Sequence, residues 1–326
     1  MRIEDLKYNY VIAGGSGFYL SAYRDLFDLE NVSYHCGYAN EKHSSLVNFL
    51  LRFDFNLKVN KYIKNPLRLI TYPLMYPHTF KDDKPECYLF FESQFAVINT
   101  NYIEYLRKTK PGVKLVLYMQ DIVSSLPYYN MEDYKNRFDL IISYDKGDCG
   151  KYGLTYYPTP YSAIRDNDMG CNKDIDVFFC GAAKTRYQTI LDVYKKCSNK
   201  GLKCLFYITG VPDEAKIDGK GLVYDTPITY DENISFVKRS KCILEIMQKN
   251  ADGYTPRLWE SFFYGTHLLS NNSSICKSEY YATNSIHFLE DIESIESWIN
   301  EHVTINDTLI QSKSPITMLK FIDNTL

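Results

Sequence analysis

The residue types best suited to chemistry gather in one stretch, Asn250-Ala-Asp-Gly-Tyr-Thr-Pro-Arg-Leu-Trp-Glu-Ser-Phe-Phe-Tyr-Gly-Thr-His-Leu-Leu-Ser-Asn-Asn272. Gly253 and Pro256 predict a loop entering a helix that carries Arg257 and Glu260 and stops at Gly265. His267 to Ser270 then reads as a buried strand. The first turn of a helix leaves backbone N–H groups unpaired at the positive end of its dipole, which suits a phosphate. Arg257 in that turn adds a guanidinium that grips an anion with two donors. Glu260, one turn on and on the same face, can accept hydrogen bonds from sugar hydroxyls. Taken without its flanks, the pair also fits an ordinary amphipathic helix with a solvated Arg and Glu. Upstream, Gly181 with Lys184 and Arg186 opens another helix after a strand, Ile175–Cys180, and offers a second basic grip on a diphosphate. Gln248 and Asn250, at the end of the strand Cys242–Met247, are polar groups placed to touch a base or a sugar.

Three carboxylates end three other apolar runs: Glu92 after Glu86–Phe91, Asp121 after Val113–Gln120, and Asp145 after Phe138–Tyr144. Ligands of parallel α/β sheets bind beyond the carboxyl ends of the strands. Asp121 is the first candidate to take a proton from an attacking group, Glu92 the second, with His35 and Asp145 behind them. Each also suits a helix cap or a loop. No clear Asp-x-Asp follows an apolar strand; Asp166-Asn-Asp168 comes nearest, after a proline-rich loop. The nine cysteines include no Cys-x-x-Cys pair or Cys/His cluster, so no zinc site is expected.

The elements that must position these groups repeat a strand–helix beat. Tyr10–Ala13 is a strand, Gly14-Gly-Ser-Gly17 a turn, and Phe18–Leu29 a helix. The glycine spacing is not that of a dinucleotide fingerprint. Gly15, Ser16 and Gly17 either let a ligand approach the backbone or supply the positive φ of a tight turn. Strands recur about every 25 residues, as in a parallel sheet. Residues 161–173 read as a linker. The pattern restarts at Asp174 with a strand, a Gly181-Ala-Ala turn and a helix over Thr185–Ser198. The expected fold is α/β, with two Rossmann-like doubly wound domains: residues 1–160, residues 174–305, and a tail, 306–326.

Asp252 and Glu260 have seven residues between them, and Gly265 follows. This resembles the Glu-x7-Glu signature in the donor domain of GT-B glycosyltransferases, with Asp in the first acidic position. Arg257-Leu-Trp-Glu260, Gly265 and Leu268-Leu-Ser-Asn-Asn272 are similar to the group-1-type transferases of bacterial capsule and O-antigen assembly. The likeness is close over roughly residues 174–300 and holds in outline before that. It implies two domains facing across a cleft, a nucleotide-sugar donor as substrate, no cofactor and no catalytic metal. It places Gly181, Lys184, Arg186, Gln248, Asp252, Gly253, Tyr254, Thr255, Arg257 and Glu260 around the donor, with Glu260 on the ribose and Asp252 on the sugar. Gly15, Ser16 and Gly17 then lie on the acceptor side, with the tail crossing back to the N-terminal domain. The acceptor it implies is a glycan, lipid-linked in such pathways. A GT-B-type epimerase and a non-catalytic two-lobed ligand binder are the other readings.

Bulk properties bound the rest. The chain has 326 residues, 45% hydrophobic and 24% charged, with a formal net charge of −3, which argues against general nucleic-acid binding. The first ten residues are polar and the apolar run after them is short, so no signal peptide is expected. A reducing cytoplasmic setting suits the scattered thiols. Residues 46–72 combine Arg52, Lys58, Lys61, Lys64 and Arg68 with interleaved apolar residues and Asp54 alone as counter-charge. Such a segment suits either a peripheral contact with the inner face of the membrane or a helical pair packed on the sheet.

Overall fold

The computed structural model describes residues 6–37, 43–54, 66–92, 100–126, 130–163, 172–248, 253–278, 281, 284–304 and 307–326. The chain divides into two units, Met1–Ala163 with Lys313–Leu326, and Ile164–Ser312. Each is a doubly wound α/β layer structure, as the strand–helix beat predicts.

Unit 1 has β1 Asn9–Ala13, β2 Val32–His35, β3 Glu86–Phe91, β4 Lys114–Met119, β5 Leu140–Ser143 and β6 Thr155–Tyr156. All pairings are parallel, in the order β2-β1-β3-β4-β5-β6. β1 is buried along its whole length, as its unbroken apolar run requires of a strand covered on both faces. The helices are α1 Phe18–Ala22, α2 Ser45–Asp54, α3 Arg68–Thr71, α4 Thr100–Thr109, α5 Met131–Lys135 and α6 Lys146–Tyr152. The expected helix over Phe18–Leu29 is interrupted. Tyr23 leaves helical geometry at φ −113°, its ring lies 4.9 Å from Phe91, and Arg24–Leu26 continues as a 3-10 turn.

Unit 2 has β7 Ile175–Ala182, β8 Cys204–Thr209, β9 Leu222–Tyr224, β10 Ser240–Glu245, β11 His267–Ser270 and β12 Ile286–Phe288. They too are all parallel, in the order β12-β11-β10-β7-β8-β9. Its helices are α7 Tyr187–Asn199, α8 Tyr230–Arg239, α9 Pro256–Tyr264, α10 Ile295–Trp298 and α11 Asp307–Ser312. Two expectations are corrected. Gly181-Ala is not a turn, because β7 runs on through it and pairs with Ile208 and Thr209. The helix expected over Asp291–Asn300 is a 3-10 segment, Leu289–Ser294, followed by the short α10.

The last helix, α12 Pro315–Thr325, belongs to unit 1. Met318, Leu319 and Ile322 form its fully buried stripe. Tyr10 Oη donates to Leu319 O at 3.0 Å and to Asp323 Oδ1 at 2.5 Å. The buried Asp25 carboxylate accepts from the hydroxyls of Ser162 and Ser314 and from Ala163 N at 2.9 Å. Residues distant in sequence are thus held by satisfied buried polar groups, which are costly to break.

Two half-buried histidines set an acid limit on stability. Burial and then the neighbouring His78 hold His35 down at about 4. Burial and then His267 hold His287 at about 4, with its ring stacked 3.7 Å from Trp298. In the unfolded chain both protonate near ~6.5. The folded state therefore refuses protons that the unfolded state accepts as pH falls below that value. Stability from this source is intact above about 6.5 and is lost as pH falls toward about 4, by roughly 1–2 kcal/mol per histidine after allowance for partial exposure. Urea midpoints at neutral and acid pH should show the loss, and His35→Gln/His287→Gln should lose less on acidification.

Candidate functional site

In unit 2 the strand order reverses direction of growth between β7 and β10, and the crevice beyond their carboxyl ends is where such sheets bind ligands. Two arginines converge there. Arg257, in the first turn of α9, donates through Nη2 to Cys180 O of β7, with its guanidinium 5.6 Å above the Phe179 ring. Arg186, entering α7, donates through Nη1 to Ile246 O beyond β10, and through Nε and Nη2 to Ala182 O at 3.3 and 3.2 Å. Gly181 is what lets them meet. A Cβ placed there would lie 3.1 Å from Arg257 Nη2 and 3.5 Å from Arg186 Nη2. Burial first, and then the charge of Arg257, pulls Arg186 down to about 10.

Two carboxylates back the pair. Glu260 is 4% exposed and accepts from Tyr230 Oη at 2.8 Å. Burial raises its pKa, against the opposing charge of Arg257. Glu245, at the end of β10, is fully buried and accepts from the hydroxyls of Thr255 and Ser270. Burial pushes it up as well, while Ser270, Thr255, Arg257 and Arg186 pull the other way. The two guanidinia are the cationic groups that an anion arriving at the strand ends meets.

The helix entrance departs from expectation. Pro256 at the first position of α9 has no N–H, Arg257 N is taken by Thr255 Oγ1 at 3.3 Å, and Leu258 N bonds to Thr255 O at 3.1 Å. The N–H groups expected to cradle a phosphate are satisfied within the chain, so an anion here is gripped by guanidinium. Tyr254 is buried with its ring 6.0 Å from Trp259, and Gly253 O accepts from Asn272 Nδ2 at 2.8 Å. Gln248 is half-buried past β10. Lys184 is exposed and holds a left-handed φ of 44°, a conformation that costs a non-glycine residue about 1 kcal/mol or more. Asp252 and Asn250 lie outside the described residues.

In unit 1 the order reverses between β1 and β3. Glu92 follows β3, is 3% exposed and accepts from Gln120 N at 2.7 Å. Asp121 follows β4 and is exposed, and no hydrogen bond to its carboxylate occurs among the described residues. Both acids lie within electrostatic reach of Tyr19: after burial, their charges are the causes that raise its phenol. Asp145 is a buried N-cap, accepting from Asp148 N at 2.8 Å. His35 sits on the edge strand, with Nε2 2.9 Å from Ser33 Oγ and its ring 5.5 Å from Tyr76. Gly15 is closed from above by this chain itself: a Cβ there would meet the Tyr19 ring at 2.1 Å, and Tyr34 Oη donates to its carbonyl at 2.8 Å. Ser16 and Gly17 are exposed.

Sequence reasoning missed Glu245 and Tyr230. The signal for Glu245 is a lone acid in the apolar strand Cys242-Ile-Leu-Glu-Ile-Met247, since an unpaired charge there is costly to bury. Tyr230 carries no such signal. Among the described residues no group of three or more His, Cys, Asp or Glu converges as a metal site. Gly181→Ala tests the arginine pair: the added methyl must displace a guanidinium, and anion affinity should fall about tenfold with the fold retained. Isothermal titration of the variant checks this.

No family model matches the chain, and no curated protein matches it in sequence. Solved structures with a similar chain course include an alpha-glucosyltransferase in complex with UDP and a 13-mer DNA, 15% identical, with 73% of each chain covered and a TM-score of 0.48. The glycotransferase of kitacinnamycin is 8% identical, with 90% of this chain and 86% of that one covered, at 0.42. The Methanocaldococcus jannaschii UDP-GlcNAc 2-epimerase, in complex with UDP-GlcNAc and UDP, is 13% identical, with 69% and 79% covered, at 0.40.

Proposed function

We propose that the chain is a glycosyltransferase that moves a sugar from a nucleotide-sugar donor to a growing surface glycan, lipid-linked, at the inner face of the membrane. The observation that carries this reading is the Arg186–Arg257 pair over Gly181, at the point where the strand order of unit 2 reverses. Two guanidinia that approach this closely favour a doubly charged ligand, and a diphosphate supplies it. During transfer, negative charge builds on the departing diphosphate. Donors already fixed in place stabilise that charge more than they stabilise the bound donor, so they lower the barrier. Glu260 receives a ribose hydroxyl on the oxygen not engaged by Tyr230, Gln248 serves the base or the sugar, and the sequence pattern assigns Asp252 to the sugar. Unit 1 supplies the acceptor side, with Asp121 taking the acceptor proton. Glu92, buried after β3, holds the backbone of the β4 end in place through Gln120 N.

Incubation with a panel of nucleotide sugars and an acceptor, reading free nucleoside diphosphate, tests the proposal. Release of nucleoside diphosphate with transfer supports it. Epimerised donor without transfer moves the chain to the epimerase class. No turnover and no binding of any nucleotide sugar overturns it.

A further inference from the structure

Unit 1 carries an apolar face that its own core does not use. Nine large apolar side chains are exposed among the described residues, and six of them fall between positions 46 and 74: Leu46, Phe49, Leu67, Leu69, Ile70 and Leu74. Leu69 is 74% exposed, and Leu46 and Ile70 are each 66% exposed. These are not frayed core positions. On α2 the inward face is Leu51, fully buried, with Val47 packed against the same cluster. Leu46 and Phe49, one turn apart, lie on a different face, with exposed Arg52 on its flank. α3 contacts α2 and is fixed by the buried Thr71 and Tyr72, which leaves Leu69 and Ile70 pointing outward. Six such residues in so short a segment form a patch of the kind that marks an interaction surface rather than scattered exposure.

Charge decides what the patch fits. From Ser45 to Leu74 the sequence has Arg52, Lys58, Lys61, Lys64 and Arg68 against Asp54 alone, in a chain of formal net charge −3. The three lysines lie outside the described residues; Arg52 and Arg68 flank the patch itself. A second copy docked by a two-fold axis would bring the same basic residues face to face. An anionic bilayer offers the complement: apolar depth for the leucines, Phe49 and Ile70, and phosphate headgroups for the arginines. We infer that α2 and α3 are a membrane-docking face that inserts Phe49, Leu69 and Ile70 into the headgroup boundary of an anionic bilayer. The inference rests on the transfer reading only for its purpose, which is to bring the enzyme to a lipid-linked acceptor; the face itself stands without it.

Co-sedimentation of the full chain with phosphatidylcholine vesicles, with and without phosphatidylglycerol, tests this face. Binding is expected only to the anionic vesicles and should weaken as salt is raised. Leu69→Ser/Ile70→Ser, at two exposed positions, should lower vesicle affinity about tenfold or more. Arg52→Gln and Arg68→Gln should each lower it roughly fivefold. Absence of binding at low salt overturns the inference, as does binding that the Leu69/Ile70 variant leaves unchanged. A wild-type dimer that this variant converts to monomer overturns it in favour of a second copy. Nucleotide binding, measured separately without vesicles, keeps the two readings apart. Vesicle binding lost with nucleotide binding intact removes only the docking face, and the converse removes only the transfer reading.

Discussion

Arg257→Ala is expected to lower transfer about 10²-fold, through ~3 kcal/mol of lost transition-state stabilisation, with donor affinity reduced as well. The side chain reaches over Gly181 to Cys180 O, and alanine removes one of the two guanidinia at the strand ends. The fold should survive. One hydrogen bond to a carbonyl is worth about 1 kcal/mol, and the α9 cap at Thr255 does not depend on the arginine side chain. Arg257→Lys distinguishes charge from geometry. An ammonium on a flexible stem keeps the charge but not the planar fork, so it should recover only part of the loss. Wild-type nucleotide affinity in Arg257→Ala would remove this residue from the site. Single-turnover rates and titration calorimetry together separate the binding loss from the barrier.

Asp121→Asn is expected to lower the rate by about 10²–10⁴-fold while leaving nucleotide affinity unchanged. The carboxylate is exposed beyond β4, and no hydrogen bond holds it among the described residues, so its removal should shift the melting temperature little. Glu92→Gln behaves differently. Its carboxylate is buried and bonded to Gln120 N, so the main cost is to stability, with any change in rate following from displacement of the strand end. If Asp121→Asn retained full activity and Glu92→Gln lost it without unfolding, the two roles would be exchanged.

Much of this arrangement is legible in the sequence. Continuous apolar runs such as Tyr10–Ala13 and Phe178–Phe179 announce parallel strands because both faces of those strands are covered. Arg257 and Glu260 fall on the same side of one helix by spacing alone, and the structure brings Arg257 to Arg186 and both Arg257 and Glu260 within electrostatic reach of Glu245. What spacing does not reveal is how many donors a residue has already committed. Pro256 and the Thr255 hydroxyl close the N-terminus of α9, which converts an expected backbone cradle into a guanidinium one. Gly181 looks like a turn glycine, but it is a strand residue whose missing side chain makes room for two long side chains from elsewhere. Such a clash is set by tertiary packing and leaves no local pattern. Gly15 gives the same lesson in unit 1, where the space above it is filled by Tyr19. Tyr230 is invisible for a further reason: an exposed-looking tyrosine at the start of a helix gives no hint that its hydroxyl reaches Glu260 thirty residues away.

The central claim is that Arg186 and Arg257 together hold a nucleoside diphosphate. Calorimetric titration of the wild-type chain with UDP, GDP, dTDP and CMP, repeated with Arg186→Ala and Arg257→Ala, tests it most directly. The account predicts saturable binding of one nucleoside diphosphate, weakened at least tenfold by either substitution, with both variants folded by circular dichroism. Absence of binding to every nucleotide, or binding that neither substitution weakens, would contradict it.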